Sequence, residues 1–425
     1  IFTSAVHRGL RNEDGTGVLV GATRIGSVRG YYMEDGERVP MNGQLLYRGI
    51  KVSEIADNHW QNGTFGYEEV AYLLLLGKLP NRREMELFKA MLAEARPLPA
   101  GFFDDMILKN PSPNVMNGLA RSILALYTYD DDPDDRSVEN LMAQSISLIA
   151  RLPVIVAQTY QVKRHIYDGK SLYIHRPKDE LSLAENFLRL IRKDKKYTDD
   201  EAKLLDLMLI LHAEHGAGNN SAFTCRAMSS SGTDTYSAIA GAVGSLKGPL
   251  HGGANAKVME MFRYLNEAIS NKESDDEIRD VLVKLLAGEG GDGSGKIYGL
   301  GHAVYTMSDP RALAIKRHAR SMAESSGRLD EFEFMERVER IGLELLMDRR
   351  KDDFPMCANV DLYSGLIYSM LDIPEDLYTP LFATARIAGW CAHRLEELAT
   401  GNRIMRPAYR AMLIKEPYIP VEARK

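Results

Sequence analysis

The stretch DDEAKLLDLMLILHAEH, residues 199–215, has the pattern of a buried helix that closes on a histidine. Its apolar residues recur at helical spacing behind an acidic start, as expected of an α-helix that faces a core. The next residues, GAGNNSAF at 216–223, surround His215 with glycine and amide groups that let a ligand approach. This stretch predicts a helical protein with a binding site at a helix end.

The same helical period recurs along most of the chain and predicts ten or more helices. The clearest further segments are YEEVAYLLLLGKL (67–79), NRREMELFKAMLAEA (81–95), SVENLMAQSISLIARLPVIVAQTY (137–160), LAENFLRLIRK (183–193) and ARIAGWCAHRLEEL (385–398). Residues 148–159 and 236–246 are apolar or small on nearly all sides, which suits central helices or an oligomer interface. The fold class is therefore mainly α.

One region departs from the helical pattern. Residues 17–47 combine β-branched and aromatic residues with glycines and an EDGE turn, which predicts a small antiparallel sheet near the N-terminus. Further along, charged and glycine-punctuated sequence at 271–296 and 325–354 differs in texture from the apolar helices around it. We interpret 253–365 as a small domain inserted into a large one formed by 1–252 and 366–425.

Composition narrows the class of protein. The chain has 425 residues, of which 45% are hydrophobic and 26% charged, and its formal net charge is −6. It thus offers no global basic field for nucleic acid or an anionic membrane. Its three cysteines (225, 357 and 391) have no paired spacing, which favours reduced thiols. Neither a membrane span nor a signal h-region is evident, so we expect a cytoplasmic protein.

Two motifs are misleading. Gly290 to Lys296 fit the phosphate-loop pattern, but Ile297 stands where a Mg²⁺-binding Ser or Thr is required, and a helix precedes the motif instead of a strand. We interpret it as a glycine hinge or a ligand-approaching loop. The HAEH motif lacks the spacing of zinc motifs and no CxxC accompanies it, so we predict no metal, with His212 as a hydrogen-bonded helix-end histidine.

Three further stretches place a titratable group in a turn rich in glycine or proline. They are GSLKGPLHGGANAKV with His251, KIYGLGHAVYTMSDPRA with His302 and Arg311, and FPMCANVDLYSGLIY with Asp361. Together with the AEHGAGN stretch, and with LYRGI at 46–50 and RIMRPAYR at 403–410, they resemble the citrate synthase family over nearly the whole chain.

The resemblance implies an almost entirely helical homodimer with a large and a small domain and an active site in the cleft between them. It implies condensation of acetyl-CoA with oxaloacetate and water to citrate and CoA, the entry step of the tricarboxylic acid cycle. Acetyl-CoA is then a co-substrate, and no cofactor is permanently bound.

The resemblance also assigns catalytic roles. Asp361 is similar to the base that removes a methyl proton, which requires a desolvated carboxylate. His251 matches the group that stabilises the enolate, and His302 matches the one that activates the oxaloacetate ketone. Ser221 is similar in position to the residue that orients His251.

The remaining assignments concern substrate binding. His215 and Asn219 match residues that hold oxaloacetate. The three arginines that match the family's carboxylate-binding set are Arg311, Arg386 and Arg406, the last contributed by the second subunit. Arginine suits this task because its guanidinium binds carboxylates in a bidentate manner.

The CoA site is where the sequence departs from the family. The position four past His302, often basic in relatives, is Thr306, and Met307 follows. We therefore look to the preceding glycine-rich loop for CoA contacts: Lys296, Gly299, Leu300 and Gly301.

Three alternatives stay open. A 2-methylcitrate synthase would use propionyl-CoA with the same groups, and one methylene changes binding by only about 1–3 kcal/mol. A non-catalytic relative would bind CoA or dicarboxylates without turnover. A citryl-CoA lyase would run the carbon–carbon step in reverse.

Overall fold

The computed structural model describes residues 9–12, 16–350, 354–400, 403–409, 411, 413 and 415–424. Fifteen α-helices make up most of this part of the chain. They are α1 Val52–Asn62, α2 Tyr67–Leu76, α3 Arg82–Ala95, α4 Val115–Leu126, α5 Val138–Tyr167, α6 Leu183–Ile191, α7 Asp199–His212, α8 Asn220–Ser229, α9 Thr235–Lys247, α10 Ala254–Ala268, α11 Asp275–Leu286, α12 Pro310–Ser325, α13 Leu329–Asp348, α14 Val360–Met370 and α15 Tyr378–Thr400. The prediction of a mainly α fold is confirmed.

The N-terminal sheet has three antiparallel strands: β1 Gly26–Glu34, β2 Glu37–Tyr47 and the two-residue β3 Ile50–Lys51. Asp35 and Gly36 form the hairpin turn, both with positive φ, as a two-residue turn between twisted strands requires. The predicted sheet is thus present, but its first strand begins at Gly26 and not at residue 17.

Helix starts follow from short polar caps. In α3, α6 and α7 the cap side chain (Asn81, Ser182 and Thr198) accepts the backbone N–H three residues on, and a glutamate at that position bonds back to the cap. Such reciprocal caps satisfy two backbone donors that a helix start leaves unpaired. Of the starts that the sequence indicated, Asn81 is itself the cap, whereas the acidic start at Asp199 lies in the first turn behind the cap Thr198.

The core is organised around α5 and α15. Helix α15 packs on α2, α5, α7, α8 and α9, and its residues from Ala383 to Arg394 are buried. Helix α5 is long and apolar enough to cross a membrane by length and composition alone, but 72% of its most apolar stretch is buried inside the protein. That burial is what a central core helix shows, and α9 (235–247) is buried in the same way.

Helix α7 ends three residues earlier than the sequence pattern indicated, at His212 instead of His215. The Tyr47 hydroxyl lies 2.9 Å from the Ile210 carbonyl and 3.3 Å from the Glu214 amide nitrogen. It therefore satisfies backbone groups that a continuing helix would pair internally. His215 consequently lies in a turn, where its ring is held by tertiary contacts.

Helices α10 to α14 pack mainly on one another: α10 against α14, α12 against α13 and α14, and α11 against α13. Helix α12 also reaches α1, α7 and β2. The division of the chain into 1–252 with 366–425 and 253–365 stays a prediction. The glycine-rich loop after α11 leads into an irregular stretch, and no helix starts at Lys296, so it lacks the helix of a phosphate loop.

Candidate active site

The site assembles where turns at four helix junctions meet the middle of α15. His215 and Asn219 lie between α7 and α8, His251 lies between α9 and α10, and His302 precedes α12. Asp361 is the second residue of α14, and Arg386 lies in the middle of α15. The chain thus brings together groups that are up to 171 positions apart (386 − 215) in sequence.

A short backbone bridge holds the segments of His302 and Asp361 side by side. Gly301 N donates to Cys357 O at 2.8 Å, and Asn359 N donates to Gly299 O at 2.9 Å. Gly299 has φ +86°, and a Cβ there would lie 2.8 Å from the Leu362 side chain, so glycine is required. The GLGH and ANVD motifs therefore form one unit.

Asn359 reinforces this unit, although no sequence motif singled it out. Its side-chain oxygen caps α14 by accepting the Asp361 N–H at 3.0 Å, and its amide group donates to Gly301 O at 2.9 Å. The residue is recognisable beforehand only as an Asn at a helix start. It links the helix of Asp361 to the loop of His302.

The His302 ring has a defined tautomer. Its Nδ1 accepts the backbone N–H groups of Val304 and Tyr305, both at 3.0 Å. A nitrogen that accepts two N–H donors carries no proton, so in the neutral ring the proton is on Nε2. Burial and the Arg311 charge lower the pKa of His302 to about 4, which keeps the ring neutral.

The His251 ring has the opposite tautomer. The Ser221 backbone N–H donates to Nε2 at 3.3 Å, so the proton of the neutral ring is on Nδ1. The Ser221 hydroxyl lies 3.0 Å from the same Nε2 and 2.8 Å from the Asn219 side-chain oxygen, so its single proton serves one of these two acceptors, and it accepts from Trp390 Nε1 at 3.2 Å. Burial lowers the pKa of His251 to about 4. Serine 221 thus contacts His251, as the resemblance implied.

Asp361 has the electrostatics of a base. Burial raises the pKa of its carboxyl to about 6, and the Asp309 carboxylate adds to this effect. The positive charges of Arg311 and Arg386 oppose it. Both guanidinium groups are therefore close enough to act on the carboxylate, yet desolvation remains the larger effect.

The two arginines differ in how their donors are used. Arg311 is buried and bonds Asp309 through Nε at 3.0 Å and Nη2 at 2.7 Å. Arg386 is 0% exposed, and its Nε donates to His212 O at 2.6 Å. Neither Nη1 nor Nη2 of Arg386 has a hydrogen-bond partner among the described residues. Buried donors of this kind are rare in folded proteins and indicate an absent acceptor.

His215 also has a buried nitrogen without a hydrogen-bond partner. Its ring is 5.2 Å from the His302 ring and 5.5 Å from the Tyr305 ring, centroid to centroid. Its Nε2 is buried without a partner among the described residues, and so is the Tyr305 hydroxyl. Burial and the Arg311 charge hold the pKa of His215 well below its usual value. Together with Arg386, these residues form a buried cluster of polar groups without hydrogen-bond partners among the described residues.

Five predicted residues lie outside this cluster or at its edge, and one of them is Leu300, which pairs with Ala358 in the backbone bridge. Arg406 is exposed on the C-terminal segment, and among the described residues it forms no hydrogen bond or ion pair with the other site residues. Lys296 is exposed in the loop before His302, while Gly299 and Gly301 are engaged in the backbone bridge described above.

Thr306 has a structural position. Its side chain is 4% exposed, and its hydroxyl donates to the Gly30 and Met41 carbonyls of the hairpin. It therefore faces the protein and not a CoA phosphate. The described residues contain no group of three His, Cys, Asp or Glu side chains placed to hold a metal ion. His212 donates its Nδ1–H to Met208 O, 2.7 Å away.

Comparison with known proteins identifies the relatives of this chain. The family of the citrate synthase C-terminal domain matches residues 14–408. The chain is 36% identical to a citrate synthase of Synechocystis sp. over 371 residues, covering 86% of this chain and 84% of the relative. It is 35% identical over 367 residues to a citrate/2-methylcitrate synthase of Bacillus subtilis, covering 86% and 89%.

A solved structure agrees with these relatives. The citrate synthase of Thermotoga maritima superposes with a TM-score of 0.76 at 31% identity, covering 98% of this chain and 99% of that one. The family resemblance drawn from the motifs is confirmed, and with it the mainly helical fold. The chain belongs to the citrate synthase family of enzymes.

Proposed function

We propose that the enzyme condenses acetyl-CoA with oxaloacetate. One observation carries the proposal: the buried donors of Arg386 and His215 have no acceptor among the described residues, and they lie within electrostatic reach of a carboxylate of raised pKa. Donors that converge without acceptors suit a small carboxylate-bearing ligand. A desolvated base beside them suits removal of a weakly acidic proton from a second substrate.

Oxaloacetate would fill the donor pocket. Arg386 offers Nη1 and Nη2 to one carboxylate as a bidentate pair. Arg311 has two nitrogens occupied by Asp309, which leaves Nη1 for substrate. His215 Nε2 adds a further contact, and Asn219 lines the same turn.

His302 would activate the ketone. Because its proton is on Nε2, that atom donates to the ketone oxygen while Nδ1 stays fixed by two backbone amides. The lowered pKa makes the ring a neutral donor whose geometry is set before substrate arrives. The ketone oxygen becomes an alkoxide when the carbon nucleophile attacks. The His302 proton then stabilises it without any rearrangement of the loop that carries His302.

His251 and Asp361 would act on the acetyl group. Asp361 takes a methyl proton, and the Nδ1–H of His251 donates to the thioester oxygen as negative charge grows there. The carbon nucleophile attacks the ketone carbon, and the new alkoxide takes up a proton to give citryl-CoA. The proton gained by the alkoxide balances the one that Asp361 took from the methyl group. Water then cleaves the C–S bond of the thioester, its oxygen bonding the acyl carbon and one of its hydrogens going to the CoA sulfur.

The CoA moiety would lie along the glycine-rich loop. In an antiparallel bridge such as that between Leu300 and Ala358, the N–H and C=O of Leu300 point away from the partner strand. These two backbone groups are available to hydrogen-bond polar groups of CoA, and the exposed ammonium group of Lys296 is available to pair with a CoA phosphate. Lys296→Ala should raise the KM for acetyl-CoA several-fold at an unchanged KM for oxaloacetate, whereas Lys284→Ala on α11 is the matched control. An unchanged KM in K296A would remove Lys296 from the site.

We also propose a homodimer in which Arg406 of each subunit serves the other subunit's site. Support comes from the C-terminal segment, whose large apolar side chains are exposed. These include Tyr409, Leu413, Tyr418 and Ile419. An arm of this composition is typical of one that packs on a second copy. Closure of the 253–365 domain on oxaloacetate and a cytoplasmic location belong to the same proposal.

A second candidate, 2-methylcitrate synthesis, is favoured by one finding: a relative at 35% identity carries both activities in its name. The decisive assay mixes the enzyme with oxaloacetate and either acetyl-CoA or propionyl-CoA and follows free CoA thiol. A higher kcat/KM for acetyl-CoA supports citrate synthesis, and a higher value for propionyl-CoA supports 2-methylcitrate synthesis. Asp361→Asn is the control, and no thiol release by the wild type with either substrate would overturn both.

A further inference from the structure

A buried carboxylate next to His215 belongs to none of the groups assigned so far. Glu214 is 0% exposed. Its Oε1 accepts the Gly216 N–H at 2.5 Å and lies 2.9 Å from His393 Nε2, while Oε2 has no partner among the described residues. Gly26 and Gly389 enclose the carboxylate, since a Cβ on either would lie within 2.8 Å of one of its oxygens. Glycine at positions 26 and 389 therefore leaves the space that the Glu214 carboxylate occupies next to the proposed substrate site.

His393 holds Glu214 from behind as a neutral donor. Arg226 Nη1 lies 3.3 Å from His393 Nδ1, and a guanidinium can only donate, so Nδ1 accepts and the ring proton is on Nε2. That proton is donated to Glu214 Oε1. Arg226 is itself fixed by Glu396 at 2.7 Å and Glu397 at 2.8 Å. The orientation of the Glu214 carboxylate is thus set by a buried chain of bonds that leads away from the site.

Glu214 and Arg386 carry opposite charges and meet at α15, because a Cβ on Gly389, three residues after Arg386, would lie 2.5 Å from Glu214 Oε2. No hydrogen bond joins the two side chains. Oε2 of Glu214 and both Nη atoms of Arg386 are without partners in the described part of the chain. Glu214 is nevertheless the strongest of the charges that raise the pKa of Arg386, which burial lowers to about 10. The guanidinium is therefore balanced in charge while its Nη donors stay unused.

This separation resolves a conflict in binding an anion deep inside a protein. A buried guanidinium without a counter-charge is costly to keep. One that is directly paired must break its bonds before it can bind a substrate carboxylate. A carboxylate that is held near the guanidinium but not hydrogen-bonded to it supplies the negative counter-charge and leaves the Nη donors free to bind the substrate.

We infer that Glu214, clamped by His393, is a positioning residue for the oxaloacetate site, acting as the counter-charge that keeps Arg386 unbonded until substrate arrives. The inference rests on the proposed function for the identity of the ligand. It predicts effects of opposite sign at the two residues, which a purely structural role for the pair does not.

Glu214→Gln keeps an oxygen acceptor for Gly216 N–H but removes the negative charge that opposes an incoming dicarboxylate. We expect oxaloacetate to bind about tenfold more tightly, as loss of one like charge at short range in a protein interior implies. His393→Ala removes the clamp and frees the carboxylate to turn onto the Nη groups of Arg386. Oxaloacetate should then bind about tenfold more weakly, and E214Q/H393A should recover the affinity.

The experiment measures oxaloacetate affinity by calorimetry in the wild type, the two single variants and the double variant, with the KM for acetyl-CoA as the gauge of general damage. Opposite shifts with recovery in the double variant support the inference, and weaker binding in E214Q overturns it, as does no change. If E214Q does not fold, H393Q carries the test, since its amide still donates to Glu214: restored affinity relative to H393A supports the clamp, and equal loss overturns it. Failure of the wild type to bind oxaloacetate would instead overturn the proposed function.

Discussion

Asp361 shows how position alone sets the chemistry of a side chain. It occupies the first turn of α14, where the helix dipole favours a negative charge and lowers a carboxyl pKa. Burial acts in the opposite direction and prevails, raising the pKa to about 6. The carboxylate is thereby a stronger base than an exposed aspartate while remaining ionised at neutral pH.

This predicts the pH dependence of the reaction. A base must be unprotonated, so kcat/KM for acetyl-CoA should fall about tenfold per pH unit below about pH 6 and level off above it. His251 and His302 have pKa values of about 4 and stay neutral throughout this range. The protonation of Asp361 alone therefore governs the fall of kcat/KM at acidic pH. The measurement is a pH–rate profile from about pH 5 to pH 8. A profile that is flat through pH 6 would contradict the assignment of Asp361.

The sequence could identify the site at the residue scale but not how its groups are held. His215, His251, His302 and Asp361 stood out because glycine or proline flanks each of them. Trp390, His393 and Asn359 did not, because a buried aromatic on a helix, a helical histidine and a helix cap look the same in any core. Their roles depend on contacts between elements 58 to 179 residues apart, which no local pattern encodes.

At the scale of elements, the start of α14 aligns Asp361, the proposed base, with His302, the proposed ketone-activating histidine. Asn359→Ala should lower the free energy of unfolding by about 1 kcal/mol, the usual value of a helix cap. It should also lower kcat, because both the cap on Asp361 N and the bond to Gly301 O are lost. Chemical denaturation and steady-state kinetics measure the two effects.

Asn359→Ser is the matched control, since serine caps helices but has no amide to reach Gly301. It should retain the stability and show the loss in kcat. Equal stability losses in both variants would mean that the Gly301 bond, and not the cap, supports the fold.

The β1–β2 hairpin is the second element with a direct bearing on the site. Gly43 N donates to the Ser308 hydroxyl at 3.1 Å, and a Cβ on Gly43 would lie 2.1 Å from Ser308 O and 2.7 Å from the Tyr305 ring. The hairpin thus lies directly on the segment that carries His302 and Tyr305. Helical periodicity predicted the helices of this protein well. The contact of the hairpin with the Ser308 segment could not be predicted, because its only trace in the sequence is the glycine at position 43.

Gly43→Ala should therefore displace the hairpin and the His302 segment together. We expect a loss of about 1–3 kcal/mol in stability, typical of overpacking, and a raised KM for oxaloacetate. Thermal melting and kinetics test this. Gly36→Asn in the hairpin turn is the control, because no atom lies within 4 Å of a Cβ there and Asn tolerates positive φ. Comparable losses in the two variants would show that the hairpin tolerates no change, independent of the contact at Gly43.

At the scale of the whole molecule, the proposed exchange of Arg406 between subunits makes a quantitative prediction. Asp361→Asn and Arg406→Ala should each be inactive alone. Dissociated, mixed and reassociated, they form hybrid dimers in which one of two sites has both residues intact, so about a quarter of wild-type activity should return in an equal mixture. The measurement is thiol release after refolding the mixture.

The control for this experiment pairs Asp361→Asn with His302→Ala, both of which lie within one subunit's own site. No hybrid of these two contains an intact site, so no activity should return. Recovery in the control mixture, or none in the Arg406 mixture, would contradict the exchange.

The unpaired Nη donors of Arg386 also affect the rate at which the protein is degraded. Under the proposed function, the native state binds oxaloacetate at groups that the unfolded chain does not assemble, so that ligand at about 100 times its dissociation constant adds about 2.7 kcal/mol to the free energy of unfolding. Proteolysis through the unfolded state slows by the corresponding factor of about one hundred. The amount of enzyme in the cell would then rise and fall with the concentration of oxaloacetate, without any change in the rate of protein synthesis. The substrate would protect the enzyme from degradation.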